Sequence, residues 1–108
     1  MSEEEKQLLL IDLCGRLPYG VKINVDGEED ILLELCVSSG WVNASYDVED
    51  VKPYLRSIHK LTKEELEELE FLTDSDYVDY CNEHHIDYRN LIPKGLALEA
   101  KEGMYNTK

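Results

Sequence analysis

Positive charge is what this sequence has least of. Eleven Lys and Arg stand against 24 Asp and Glu in 108 residues, a formal net charge of −13. That balance argues against broad binding to phosphate backbones or anionic membranes, since both need clustered cations. No apolar run approaches the ~20 residues of a membrane span. The opening MSEEEKQ lacks the basic-then-apolar pattern of a secretory leader. Both Gly-rich phosphate loops are missing, and so is the Gly-x-Ser-x-Gly elbow of a serine hydrolase. The three cysteines, Cys14, Cys36 and Cys81, are odd in number and far apart, so no disulfide framework is expected. Each lies in an apolar stretch and reads as a buried reduced thiol, which places the chain in a reducing cytoplasm.

What is present is enough for one α+β domain spanning residues 1–100, with a tail, 101–108, expected to fray. Ser2 and Glu5 have capping-box spacing ahead of a helix over Glu3–Cys14, whose stripe is Leu9, Leu10, Leu13 and Leu17. Gly15 is placed to end it. Alternation then predicts three strands. Val21, Ile23 and Val25 face inward in the first. Ile31, Leu33, Leu35 and Val37 face inward in a central second strand, and Val42, Ala44 and Tyr46 mark a third. Short connections make this a three-stranded antiparallel meander. Pro53 confines Val51–Ile58 to an edge strand or an extended connector.

Two short acidic helices follow, expected to pack on one sheet face. Thr62 and Glu65 form a second capping box, with Leu66, Leu69 and Leu72 inward. Asp74 caps the next helix, with Tyr77, Val78 and Cys81 inward. Residues 62–87 hold ten acids against Lys63 alone, so most of the net charge sits in one block. The periodicity points Glu64, Glu67, Glu68, Asp76, Asp79 and Glu83 outward. Like charges at i,i+4, such as Glu64 and Glu68, destabilise a helix slightly, and Glu70 and Glu83 sit where the macrodipole disfavours them. A face of that kind suits a basic protein surface, including a groove built for nucleic acid.

Two stretches, Val48–Arg56 running through Leu61-Thr62, and His84–Ile92 with Lys94–Ala100 and Glu102–Tyr105, carry a resemblance. They are similar to a group of small uncharacterised proteins of phages and mobile elements in gut anaerobic bacteria. Ser57 and Asn90 stand where that group would often have Pro and Gly. The resemblance implies a bacterial or phage cytoplasm and carries over no activity, cofactor or catalytic residue.

The expected function is therefore a non-enzymatic interaction module. Its binding residues are the six outward carboxylates, and its sharpest form is a phage or mobile-element inhibitor of a host nucleic-acid-handling or defence protein by charge mimicry. Direct nucleic-acid or membrane binding is not expected. The alternative is a small enzyme or ligand-binding domain with a pocket near Tyr54, Arg56, Tyr88 and Arg89. Cys81 with His84 or His85 could form a two-ligand clip on one helical face. A structural zinc needs four ligands, so no metal or other cofactor is expected.

Overall fold

The chain is described from a computed structural model over residues 2–105. Helix α1 runs from Glu3 to Arg16. Its capping box closes as the spacing requires: Ser2 Oγ accepts from the Glu5 amide at 3.1 Å, and Glu5 Oε1 accepts from the Ser2 amide at 3.0 Å. Gly15 does not end this helix. A Cβ there would lie 2.7 Å from Asn82 Nδ2, so the glycine serves the close approach of a later helix. The left-handed residue that stops the chain is Gly20, at φ 64°, after a 3-10 turn over Leu17–Tyr19.

Strands β1 (Lys22–Val25) and β2 (Glu28–Ile31) form a hairpin in which Val25 pairs with Glu28. Asp26 and Gly27 both have positive φ, which suits the twist of a two-residue turn. That turn sets the parity of everything after it. Glu28, Asp30 and Leu32 share a face with Val25, Ile23 and Val21, and Leu32 is buried. Ile31, Leu33 and Val37, expected inward, are consequently exposed, Leu33 by 71%. The long central second strand is also corrected: it breaks after Ile31. Asn43 bridges the break, accepting from the Leu33 and Glu34 amides and donating to the Ile31 carbonyl. A separate three-stranded antiparallel sheet then forms from β3 (Leu35–Cys36), β4 (Trp41–Val42) and β5 (Tyr46–Asp47).

The next strand, β6 (Val51–Leu55), lies inside the main sheet, whose order is β2-β1-β6-β7. Pro53 is compatible with this for a local reason. The Leu32 amide bonds the Val21 carbonyl, so Lys22 and Asn24 turn their backbone groups toward β6, and Pro53, opposite Ile23, owes β1 no donor. On its other side β7 (Leu98–Glu99) pairs only with Tyr54 and Leu55, in parallel. The crossover between them carries α2 (Lys63–Glu70) and α3 (Asp74–Glu83).

Two apolar cores result. The larger joins Leu9, Leu10 and Leu13 of α1 to Val21, Ile23, Val51 and Leu55 of the sheet. The smaller gathers Leu61, Leu69, Cys81 and Ile86. The expected packing of α2 and α3 on a sheet face is thus replaced by a core of their own, with α3 resting against α1. Residues 101–105, part of the tail expected to fray, turn back onto the main sheet. The Tyr105 hydroxyl sits between β1 and β6, accepting from the Lys22 amide at 2.8 Å and donating to the Tyr54 carbonyl at 2.7 Å. Residues 106–108 of the expected tail lie outside the described residues.

Candidate functional site

The acidic arm is built from its caps. Thr62 Oγ1 accepts from the Glu65 amide at 3.2 Å and starts α2. Thr73, one residue before the expected Asp74, caps α3 through the Asp76 amide at 3.3 Å. The caps fix where each helix starts, the contacts of Leu69 and Cys81 with the small core set which face is turned inward, and Glu64, Glu67, Glu68, Asp76, Asp79 and Glu83 are all exposed. None of the six enters an ion pair among the described residues. The Tyr80 hydroxyl of α3 is pushed up to about 12 by burial and then by the Glu68 carboxylate, so the α2 acid lies beside α3.

Two other acids of the block have structural duties instead. Glu65 receives the Arg56 guanidinium at 2.7 Å, and that hydrogen bond lowers its pKa. Asp87 is buried and accepts from the Leu91 and Ile92 amides at 2.8 and 3.0 Å.

Apolar residues stand out on this arm as well. Leu66 was expected inward but is exposed, because the single turn of contact to the small core is taken by Leu69. Phe71, the only phenylalanine in the chain, is 86% exposed at the end of α2. It keeps a right-handed conformation there, so Glu64, Glu67 and Glu68 precede it at the i−7, i−4 and i−3 positions of one helical face. The sequence signal was available in the lone Phe after a run of glutamates, but it reads equally well as a core residue.

The four residues of the alternative site do not converge. Arg56 lines a cavity of about 380 Å³. Tyr54 is buried, with its ring face 5.5 Å from Lys101 Nζ and its hydroxyl accepting from Asn24 Nδ2 at 3.0 Å. Tyr88 and Arg89 belong elsewhere, to a cluster around Asp12. Arg16 is fully buried and grips Asp12 with two nitrogens, at 2.8 and 3.2 Å. Its remaining donors reach the Cys81 and Ile86 carbonyls at the end of α3. Arg89 lies 3.2 Å from the same Asp12 and covers the Tyr88 ring at 4.8 Å. This is a clamp between α1 and the end of α3, missed because the helix was expected to end at Gly15, which leaves Arg16 off the turn that brings it to Asp12.

The cysteine expectation is corrected in two of three places. Cys14 and Cys36 are exposed; Cys81 is buried, and all three are free. Burial pushes the Cys81 thiol up to about 11, away from thiolate chemistry. Cys81 and His85 do not form a helical clip, since α3 ends at Glu83 and His85 adopts a left-handed φ of 59°. His85 instead stacks on the Tyr105 ring at 3.9 Å, and burial lowers its pKa to about 4. Among the described residues no three His, Cys, Asp or Glu side chains are grouped to hold a metal, and no helix is long and apolar enough to cross a membrane.

Comparisons with protein-family models, with curated proteins and with solved structures found no match, so function is argued from the chain's own geometry.

Proposed function

We propose that the chain is a non-enzymatic interaction module whose α2–α3 arm engages a basic protein surface. One observation carries this reading: six outward carboxylates without ion-pair partners among the described residues accompany an aromatic side chain that is almost wholly in solvent. Interfaces concentrate binding energy in a few apolar or aromatic anchors and use surrounding charge to steer encounter and choose partners. Phe71 is the anchor, and Glu64, Glu67, Glu68, Asp76, Asp79 and Glu83 supply the field. Given the resemblance in the second half of the chain, the partner class is a host protein that handles nucleic acid or serves in defence, occupied by charge mimicry in a bacterial cytoplasm.

The test is capture from bacterial lysate by immobilised protein, with washes at low and high salt. Capture should fall steeply as salt rises, because screening shortens the reach of exposed charges. It should also fall with Phe71→Ser at either salt. Capture that ignores both salt and Phe71 would remove the reading.

A further inference from the structure

The cavity of about 380 Å³ opens between the end of β6, the 3-10 turn at Ile58–Lys60, and residues 99–105. Its size falls in the range of small-molecule sites. Its walls are charged: Arg56, Lys60 and Lys101 line it with Glu99 and Glu102. Most of that charge is already answered within the protein. Arg56 donates to Glu65 at 2.7 Å and to the His84 carbonyl at 3.4 Å. Lys60 pairs with Glu99. Two groups of opposite sign remain. The Lys101 ammonium meets only the Tyr54 ring face, and the Glu102 carboxylate has no ion-pair partner among the described residues. Ser57 lines the same space, and its Oγ accepts from the His59 amide at 3.3 Å, which leaves the hydroxyl proton free to donate.

We propose that this cavity binds a free amino acid, with the ligand carboxylate on Lys101 and Ser57 and the ligand ammonium on Glu102. Charge decides the ligand class. A simple anion would enter against the field of a chain at −13 and leave Glu102 unanswered, and a simple cation would leave the Lys101 ammonium unanswered. A zwitterion adds no net charge and answers both unspent groups. The C-terminal wall is held in place for this by the Tyr105 hydroxyl between β1 and β6, so the site is built before a ligand arrives.

The test follows amide shifts in the nitrogen–proton spectrum of the whole chain during titration with the common L-amino acids, singly. At least one should give saturable shifts at the Ser57, Ala100 and Gly103 amides. Its N-acetyl and carboxamide derivatives, each missing one charge, should bind about tenfold or more weakly, as should the ligand itself to Lys101→Gln and to Glu102→Gln. Both side chains are exposed, and an unchanged spectrum elsewhere certifies the fold of the variants. No saturable shift at these amides up to about 20 mM of any amino acid would overturn the proposal. So would equal binding of the N-acetyl form or of inorganic phosphate, which would mark an anion site. Neither substitution touches α2 or α3, so either result leaves the acidic arm to be judged separately.

Discussion

Charge is used in opposite ways in two parts of this molecule. Around α1, Asp12 and Arg16 are fully buried, and each is answered by hydrogen bonds or an ion pair that tie α1 to the end of α3. On α2 and α3 the six carboxylates are exposed and, among the described residues, form no ion pair. The first arrangement exists for the fold; the second contributes little to it, since of the six only Glu64 and Asp76, in the first turns of their helices, sit where the dipole favours an acid. Glu65 and Asp87 sharpen the contrast. They lie in the same acidic stretch of sequence, yet both are spent on local structure. What distinguishes a structural acid from an available one is thus its partner, which composition does not reveal.

The largest effect should come from breaking the buried side of the comparison. Arg16→Met leaves Asp12 with Arg89 alone and strips donors from the Cys81 and Ile86 carbonyls. Urea unfolding should show a loss of about 3–5 kcal/mol, the usual result of removing one partner from a buried pair. A loss under about 1 kcal/mol would mean that the clamp is incidental.

Next is pH. His85 titrates near 4 in the fold against about 6.5 in an unfolded chain, chiefly because burial disfavours its charged form. Between those values the unfolded state binds the proton and the folded state does not, so stability falls as pH drops from about 6.5 to about 4. Roughly 3 kcal/mol should be lost over that window, and His85→Asn, which tolerates the left-handed backbone, should lose much less. Acid relief of carboxylate repulsion on α2 and α3 acts in the opposite direction, near the lower end of the window. Stability that rises steadily from pH 6.5 to 5 in the native sequence would show that surface repulsion outweighs the buried imidazole.

A smaller effect is expected at the C-terminal wall. Tyr105→Phe keeps the stack on His85 and deletes the hydroxyl between Lys22 and Tyr54, leaving an amide and a carbonyl without that partner. Thermal or urea unfolding should report a loss of about 1–3 kcal/mol. No change would mean that residues 101–105 are dispensable for the fold.

Much of this was legible in the sequence wherever one short rule decided the outcome. The capping boxes at Ser2 and Thr62, the α+β class and the outward set of six carboxylates all follow from local spacing. Parity after the Asp26-Gly27 turn was decidable too. A two-residue hairpin puts Leu32, not Ile31 or Leu33, on the face of Val21, but the longer apolar alternation hid it. The rest depends on groups far apart in the chain. Asp12 meets Arg89, Pro53 becomes interior because of the strand beside it, and Lys101 reaches Tyr54 only after the crossover returns. No local pattern encodes those meetings. Phe71 was hidden differently, since an aromatic after a helix is usually core.

The most direct test of the central claim is to measure unfolding free energy and partner binding on one variant carrying Glu67→Lys, Glu68→Lys, Asp79→Lys and Glu83→Lys, four positions outside the first helical turns, where the dipole would oppose a lysine. Exposed substitutions move stability by only about 0.5 kcal/mol each, and relief of repulsion acts in the stabilising direction. The variant should therefore unfold at the same urea concentration or higher, and at low salt it should no longer hold the partner that the native chain captures. A variant that unfolds, or that stays folded and still holds the partner, would contradict the division between structural charge and available charge.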